Sequence, residues 1–275
     1  YAWSSQGPIV VVAHGWWSHA GRFAPLAKGL LDAGMRVVAY DAPGHGRSTG
    51  WRATMPEFAA TIRAVGDHHG PLHAVVGHSL GGSASIFALA RGLNASRAVL
   101  IAAPADITSW LVRFRDTFEL PEGIYTRMQR NMQHRLRLTW DDLDLPVLAR
   151  QLTQPALIVH DMQDSDVPYA EGKQLAEAWR GSILHTTEKL GHRAILRGVR
   201  PHPGHPRGVG IPHPDRKRHP DGTDRRVGHP RGTATAGCRR ARRAGGAVRG
   251  LAARHRRDDE PGAAAVDRRR GARRR

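Results

Sequence analysis

The sequence predicts an α/β fold, in which helices cover both faces of a doubly wound, mostly parallel sheet. Short β-branched runs alternate with longer segments whose apolar residues have helical spacing. The runs are apolar at successive positions, which is typical of strands buried on both faces of a parallel sheet. One transition from strand to helix carries the pentapeptide GHSLG at residues 77–81. We expect the rest of the chain to be organised around this transition.

The first hundred residues supply most of the predicted elements. Gly34 is expected to end the first helix, and Thr54 is expected to cap the second. A third helix follows the pentapeptide. The predicted strands are 9–13, 35–40, 72–76 and 97–102, and the predicted helices before the pentapeptide are 18–33 and 55–65.

The alternation of strands and helices is interrupted between residues 104 and 150. This stretch is rich in Trp, Arg and Met and contains no clear strand. We interpret it as a short helical cap over a pocket, and the alternative is an ordinary helical excursion packed on the sheet. Its side chains Trp110, Phe114 and Tyr125 suggest an apolar pocket. Strand 155–160, helix 170–179 and strand 182–187 then resume the alternation.

The basic charge of the chain is confined to its end. Residues 1–196 carry 19 basic and 17 acidic side chains, whereas residues 197–275 carry 23 and 7, within a total net charge of +18. All 16 aromatic residues precede residue 180, so the last segment cannot bury enough apolar surface to offset its ordering entropy. We therefore expect a folded core over 1–196 and a disordered, basic tail rich in Arg, Pro, Gly and Ala over 197–275.

The composition also bears on compartment and cofactors. The single cysteine, Cys238, excludes an intrachain disulfide and argues against a cysteine metal site. No apolar run approaches the roughly 18 residues of a membrane span. The first residues lack the basic and apolar regions of a signal peptide. We expect a cytoplasmic protein with no cofactor, no metal and no membrane span.

The pentapeptide supplies a candidate nucleophile, Ser79. A strand, a sharp turn and a helix expose a serine hydroxyl above the edge of a sheet, and glycines on either side permit the strained turn and the close approach of neighbouring backbone. The pentapeptide alone is a weak signal, because a strand-to-helix turn rich in small residues gives the same letters.

Four further motifs accompany the serine in a fixed order. They are AHGWW (13–17), DAPGHGRS (41–48), HDMQDSDVP (160–168) and LGH (190–192), and the serine lies in GHSLGG (77–82). With these motifs, residues 8 to about 196 resemble the α/β-hydrolase superfamily. The resemblance is greatest to its small-cap branch of serine esterases, monoacylglycerol-lipase-like enzymes and serine aminopeptidase-like hydrolases. The order serine, acid, histidine is also that of the superfamily.

The resemblance implies which side chains accompany Ser79. His192, which is expected in a loop just after the last predicted strand, matches the histidine that takes the serine proton and returns it to the leaving group. An aspartate must hold this histidine in one tautomer, and Asp161, Asp164 and Asp166 compete for that role. Asp164 fits the spacing of the family best, Asp166 is the alternative, and Asp161 is expected to make a turn contact.

The resemblance also implies an oxyanion hole made of backbone N–H groups. These are the N–H of Leu80, which follows the serine, and the N–H of Trp16, in the loop after the first predicted strand. Three histidines near these loops are expected to be structural. His14 is expected to orient the oxyanion loop, His45 to shape a turn, and His78 to pack against the top of the sheet.

The chain departs from the family pattern at both ends. Only eight residues precede the first predicted strand, which leaves room for neither of the two antiparallel strands with which the family fold begins, and we interpret the start as truncated. After Leu196 the sequence RGVRPHPGHP breaks the helix that residues 193–196 begin. The tail is biased towards Arg, Pro, Gly, Ala and His as far as Arg275. This composition is typical of a GC-rich coding sequence read in a wrong frame, so we interpret the tail as frameshifted or fused.

The leading prediction is a serine hydrolase that cleaves a small-molecule carboxylic ester with an apolar acyl group through an acyl-enzyme. Amide and thioester substrates would use the same residues. The alternatives are a truncated or misread product without activity, and a protein that binds nucleic acid through its basic tail. The tail has no aromatic residues to stack on bases and no helical pattern to fit a groove, so no specific nucleic-acid partner is expected.

Overall fold

One mixed sheet forms the centre of the computed structural model, which describes residues 1–4 and 6–198. Seven strands are ordered β1-β3-β2-β4-β5-β6-β7 across the sheet, and all neighbours except β1 and β3 are parallel. The strands are β1 (Ala2–Trp3), β2 (Ile9–Ala13), β3 (Arg36–Ala39), β4 (Ala74–His78), β5 (Ala98–Ile101), β6 (Ala156–Asp161) and β7 (Ile183–Thr187).

Eight α-helices connect these strands within the described residues. The helices are α1 (Ala24–Asp32), α2 (Met55–His69), α3 (Leu80–Ala90), α4 (Ile107–Thr117), α5 (Glu122–Leu136), α6 (Leu145–Arg150), α7 (Tyr169–Ala178) and α8 (Gly191–Gly198). Residues 104–150, here called the cap, contain α4, α5, a short 3-10 helix and α6, and no strand.

Two apolar cores lie on opposite faces of the sheet. On one face, the strands pack against buried residues of α2, α3, α6 and α7, such as Phe58 and Leu175. On the other face they pack against α1 and α8, through residues such as Leu30 and Ile195. Strand β4 (AVVGH) is buried at every position. Helices cover both faces of this mostly parallel sheet, which confirms the expected doubly wound α/β fold. A strand that is apolar throughout, such as β4, requires this covering on both faces.

The order in which successive strands are added to the sheet changes direction at β2 and β4. Strand β2 pairs with β3 on one side and with β4 on the other, in parallel in both cases. The loops that leave the carboxyl ends of β2 and β4 therefore diverge and leave a crevice, where ligands bind in open α/β sheets. Residues 14–19 and Ser79 occupy these two positions.

Two expectations about local structure are wrong. The chain start was expected to have no room for an antiparallel strand, but Ala2–Trp3 pairs antiparallel with β3. The helix expected over 18–33 is divided into a 3-10 helix, Ala20–Phe23, and α1. Pro25 has no N–H to donate to the carbonyl of Gly21, and the tighter 3-10 turn avoids the need for that bond.

The end of the described region also differs from expectation. His192 was expected in a loop, but it is the second residue of α8, and that helix continues beyond residue 196 to Gly198. The proposed tail (197–275) lies outside the described residues apart from its first two positions. The division of the chain at residue 196 and the frameshift interpretation therefore stay proposals.

Candidate active site

Ser79 lies in a strained turn between β4 and α3. Its φ of 53° and ψ of −127° belong to a region that residues with a Cβ atom adopt at a cost of about 1–3 kcal/mol. The turn needs glycine on both sides. A Cβ atom on Gly77 would collide with the backbone of Gly81 and Gly82, and one on Gly81 would collide with the carbonyl of Ala13.

The loop after β2 passes directly beside the serine. A Cβ atom on Gly15 would lie 2.8 Å from Cβ of Ser79 and 3.3 Å from its Oγ atom. Only glycine permits this approach, which places the backbone of Gly15 beside the serine side chain.

A hydrogen bond of 2.8 Å joins His192 to Asp164. The Nδ1–H group of His192 donates to Oδ2 of Asp164, whose side chain is fully buried. The other carboxylate oxygen accepts the backbone N–H groups of Asp166, at 2.9 Å, and of Val167, at 2.8 Å. With Nδ1 protonated, Nε2 of His192 is the nitrogen left with a lone pair.

The carboxylate of Asp164 is held in its charged form. Burial alone would raise the pKa of Asp164, but the hydrogen bond and charge of His192 and the N–H groups of Val167 and Asp166 outweigh burial and lower the pKa below its usual value. Asp166, the alternative acid, has a different environment. Its backbone carbonyl accepts a hydrogen bond from Arg113, and its side chain lines the cavity described below.

Asp161 connects the end of β6 to the segment that precedes His192. Its Oδ2 atom accepts the hydroxyl of Thr187 at 2.7 Å and the N–H of Leu190 at 3.0 Å, while its Oδ1 atom accepts the N–H of Gln163 at 3.0 Å. The turn contact expected of Asp161 is present, but the longer-range contacts were missed. No local signal in the sequence could have found them, because Thr187 is 26 residues away and Leu190 is 29.

Two buried histidines adjoin the pair formed by Asp164 and His192. The Nε2–H group of His78 donates to the carbonyl of His192 at 2.8 Å, and burial lowers the pKa of His78 to about 4. The Nε2–H group of His160 donates to the carbonyl of Val167 at 3.0 Å and lies 3.6 Å from Oδ2 of Asp164. His160 was not among the predicted site residues, although it precedes Asp161 within the HDMQDSDVP motif.

Two other histidines hold the loop after β2. The Nδ1–H group of His14 donates to the carbonyl of Gly15 at 2.7 Å, and its Nε2 atom accepts the N–H of Ala42 at 2.9 Å. Because the peptide between Gly15 and Trp16 is trans, its N–H group points away from the carbonyl that His14 binds. His45 accepts the N–H of Trp17, a residue with a φ of 53°, at 3.1 Å.

Ser79 and His192 face one cavity of about 520 Å³ between the sheet and the cap. Trp110 and Phe114 of α4 line it, as expected, but Tyr125 does not, because its ring packs beneath the guanidinium of Arg115. Within the described residues, no hydrogen bond joins the Ser79 hydroxyl to His192. Other apolar residues of the cavity wall are Trp16, Trp17, Met55, Leu80, Ile107, Leu111, Met132, Leu136, Trp140 and Leu143.

The described residues contain neither a cluster of metal-ligating side chains nor a membrane-spanning helix. In residues 1–4 and 6–198, no group of three or more His, Cys, Asp or Glu side chains is arranged to hold a metal ion. No helix in the same residues combines the length and the apolar character that crossing a membrane requires.

These features define a class of protein. A serine in a strand-to-helix elbow, and a histidine–aspartate pair facing the same cavity at the carboxyl edge of a parallel sheet, are typical of α/β-hydrolases of the esterase and lipase type. The family model described as serine aminopeptidase, S33, matches residues 5–143. The chain belongs to this family of α/β-hydrolases.

Known proteins similar to this chain include several esterases and lipases. A monoacylglycerol lipase of Mycolicibacterium smegmatis is 37% identical over 216 residues, which cover 64% of this chain and 77% of that protein. A bifunctional esterase/perhydrolase of Acinetobacter calcoaceticus is 27% identical over 65% of this chain and 83% of its own. Human monoglyceride lipase is 29% identical over a shorter match, 38% of this chain and 39% of the relative.

Solved structures share the fold. Est1E from Butyrivibrio proteoclasticus, solved with ferulic acid, matches 70% of this chain and 86% of its own with a TM-score of 0.56 and 20% identity. A thermophilic esterase from Thermogutta terrifontis matches 72% of this chain and 86% of its own with a TM-score of 0.55 and 20% identity. These structures share the fold of the family with this chain, and the family match together with the sequence relatives makes the chain an α/β-hydrolase of the esterase and lipase type.

Proposed function

We propose that this chain hydrolyses carboxylic esters with Ser79 as nucleophile, His192 as general base and acid, and Asp164 as the carboxylate that orients His192. The observation that carries the proposal is the 2.8 Å hydrogen bond between Nδ1 of His192 and Asp164, with His192 facing the same cavity as the strained Ser79. That bond leaves Nε2 of His192 free to accept the serine proton.

The reaction would proceed in two halves. Oγ of Ser79 attacks the ester carbonyl while Nε2 of His192 takes the hydroxyl proton, and the resulting oxyanion is held by the N–H groups of Leu80 and Trp16. The tetrahedral intermediate then collapses, and the alcohol leaves with the proton from His192. A water molecule attacks the acyl-enzyme by the same route and releases the carboxylic acid and the free serine.

The loop that carries the Trp16 N–H is fixed before substrate binds. His14 holds the carbonyl of Gly15, and His45 holds the N–H of Trp17, so the peptide between Gly15 and Trp16 is restrained from both sides. A donor that is already oriented requires no reorganisation when the oxyanion forms, and such donors are each worth about 10²–10³ in rate.

The walls of the cavity favour an apolar acyl group. Trp110, Phe114 and Met132 contribute aromatic and flexible apolar surface, and the volume of about 520 Å³ lies within the usual range of small-molecule sites. The name of the Mycolicibacterium smegmatis relative points in the same direction. We propose monoesters of medium or long fatty acids with a small alcohol as the substrate class.

An active-site probe tests the proposed nucleophile. A fluorophosphonate is expected to label the purified protein, and labelling should be lost in Ser79→Ala. Hydrolysis of a 4-nitrophenyl ester panel is expected to fall in the same variant by a factor on the order of 10⁴ to 10⁶.

The matched control for this experiment is Ser96→Ala. Ser96 is exposed and its hydroxyl makes no hydrogen bond with the described residues, so labelling should persist. A folded protein that stays unlabelled would overturn the proposal.

Two other outcomes would favour the alternatives. An aggregated, unlabelled product would favour a misread, inactive chain. Affinity for nucleic acid that disappears when residues 197–275 are deleted would favour a protein that binds nucleic acid through its basic tail.

A further inference from the structure

A second cavity, of about 370 Å³, lies beside the one that Ser79 faces. We call it the annex. Trp16, Trp17, Ala53 and Thr54 line both cavities, so the two cavities adjoin at these residues. Since the N–H of Trp16 is the proposed oxyanion donor, the annex begins next to the position of the reacting carbonyl.

Flat apolar side chains form much of the annex wall. The rings of Trp16 and Trp17 are stacked, with their centroids 5.5 Å apart, and Trp51 and Arg52 also line the annex. Trp17 is 83% exposed and Trp51 is 79% exposed. Indole rings exposed to this extent at a cavity offer apolar area that a ligand would cover, while each ring N–H can still meet a polar group.

The charged side chains of the annex all have the same sign. Arg52 and Arg135 line it, and no carboxylate among the described residues does. Neither arginine forms an ion pair with another described residue. The guanidinium of Arg52 lies 4.7 Å above the ring of Trp51, which orients it, and Arg135 comes from α5 of the cap. Guanidinium groups bind carboxylates and phosphates through paired N–H donors.

The two cavities therefore differ in the chemistry that they accept. The larger cavity has mostly apolar walls, and the annex combines two unpaired arginines with indole rings. We propose that the annex binds an anionic group, either a phosphate or a carboxylate, on the alcohol part of the substrate, while the acyl chain occupies the larger cavity. This inference rests on the proposed ester hydrolysis and narrows its substrates to monoesters of anionic alcohols.

Arginines of the larger cavity could give the same preference for an anionic alcohol. Arg22, Arg113 and Arg193 are exposed and line that cavity. The guanidinium of Arg113 donates to the carbonyl of Asp166, so Arg22 and Arg193 are the pair to which an anion could bind instead. The experiment must separate these residues from Arg52 and Arg135.

The test compares 1-octanoylglycerol with 1-octanoylglycerol 3-phosphate, which share the acyl chain and differ in the phosphate. We expect the protein to prefer the phosphate ester in kcat/KM by tenfold or more, on the order of one charge-assisted hydrogen bond. The ratio should approach one when Arg52→Ala and Arg135→Ala are combined. An octanoyl ester of glyceric acid shows whether a carboxylate is preferred as well, and preference for either anion supports the annex when it is lost in the Arg52, Arg135 double variant.

Two control pairs remove the same charge elsewhere. Arg127→Ala with Arg130→Ala changes exposed residues of α5 that line neither cavity, and the ratio should be retained. Arg22→Ala with Arg193→Ala should retain it too. Loss of the ratio in either control pair, with the annex pair unaffected, would overturn the inference. Arg52→Gln with Arg135→Gln repeats the charge removal with longer side chains if the alanine pair fails to fold.

Failure of this inference and failure of the proposed function give different results. Hydrolysis of both esters at equal kcat/KM would leave the function standing and overturn the annex. If no ester is hydrolysed and Ser79 is not labelled, calorimetry on Ser79→Ala still measures the affinity of each ester. Equal affinity would overturn the annex, and roughly tenfold tighter binding of the phosphate ester would support it.

Discussion

At the scale of single residues, Asp164 differs from its neighbours in what its two oxygens contact. One oxygen accepts two backbone N–H groups, those of Asp166 and Val167, and the other accepts Nδ1–H of His192. The first set fixes the carboxylate and the second fixes the tautomer of the imidazole. A carboxylate is suited to both tasks because all four of its lone-pair positions are acceptors.

The variant Asp164→Asn should retain the fold and lose activity. The amide oxygen can still accept the N–H groups of Asp166 and Val167, so the NH₂ group would face His192 and place the ring proton on Nε2. A histidine in that tautomer cannot take the proton of Ser79, and we expect kcat to fall by about 10⁴ in a 4-nitrophenyl ester assay.

The matched control is Asp166→Asn, at the alternative acid. Its backbone N–H, which binds Asp164, is unaffected by the change, and we expect kcat to stay within about tenfold of the original. The reverse pattern, a large loss in Asp166→Asn and near-normal activity in Asp164→Asn, would assign the acid to Asp166.

At the scale of elements, α5 of the cap forms part of the wall of the larger cavity. Met132 and Leu136 of this helix line the larger cavity, and Arg135 lines the annex. Helical spacing of three and four residues brings these positions to neighbouring parts of one surface. One helix thus contributes to the walls of both cavities.

The variant Met132→Trp should shorten the acyl chain that the cavity accepts. A larger ring at this half-buried position reduces the volume available to substrate, so kcat/KM for decanoate esters is expected to fall about tenfold or more, since each excluded methylene forfeits about 0.8 kcal/mol of burial. Acetate esters should be hydrolysed at a nearly unchanged rate. A series of 4-nitrophenyl esters of graded length measures both.

The control for this helix is Met128→Trp. Met128 is half-buried in α5 but lines neither cavity, so the chain-length profile should not shift. An identical shift in both variants would mean that the cap as a whole, and not the wall at Met132, sets the profile.

At the scale of the whole molecule, buried histidines couple the fold to pH. Burial lowers the pKa of His14, His78 and His160, with that of His78 at about 4. Between that value and about 6.5, the unfolded chain binds protons that the folded chain does not, so acidification favours unfolding. The pKa values of Asp161 and Asp164 are lowered below 3.8, so their contribution to stability is lost only at more acidic pH.

His78→Gln should make the fold less sensitive to acid. The change removes one group that titrates only in the unfolded chain between pH 6.5 and 4. The difference between the free energies of unfolding at pH 7 and pH 4.5 is therefore expected to shrink by about 2 kcal/mol. Urea denaturation followed by tryptophan fluorescence at the two pH values measures it. Above pH 7 the two proteins should show the same pH dependence, and an unchanged difference between pH 7 and pH 4.5 would show that His78 is not the responsible group.

Much of the architecture could be predicted from local sequence. The β-branched run of β2 and the apolar run of β4 are found within one or two residues of their predicted positions, because a strand buried on both faces must be apolar throughout. The elbow at Ser79 was also predictable, because the glycines at 77 and 81 are required by backbone collisions that any such turn produces. The strand Ala2–Trp3 was missed because two residues carry no periodicity.

The sequence by itself determined the α/β class, the order of its motifs and the short set of residues that could act with Ser79. The tertiary structure decided which aspartate contacts His192, how Asp161 reaches Thr187 and Leu190, and that Arg135 and Arg52 line the same cavity. The physical reason is the range of the interactions. Strand burial and turn strain act on consecutive residues, whereas a hydrogen bond between residues that are 26 to 29 positions apart depends on how the strands are ordered in the sheet.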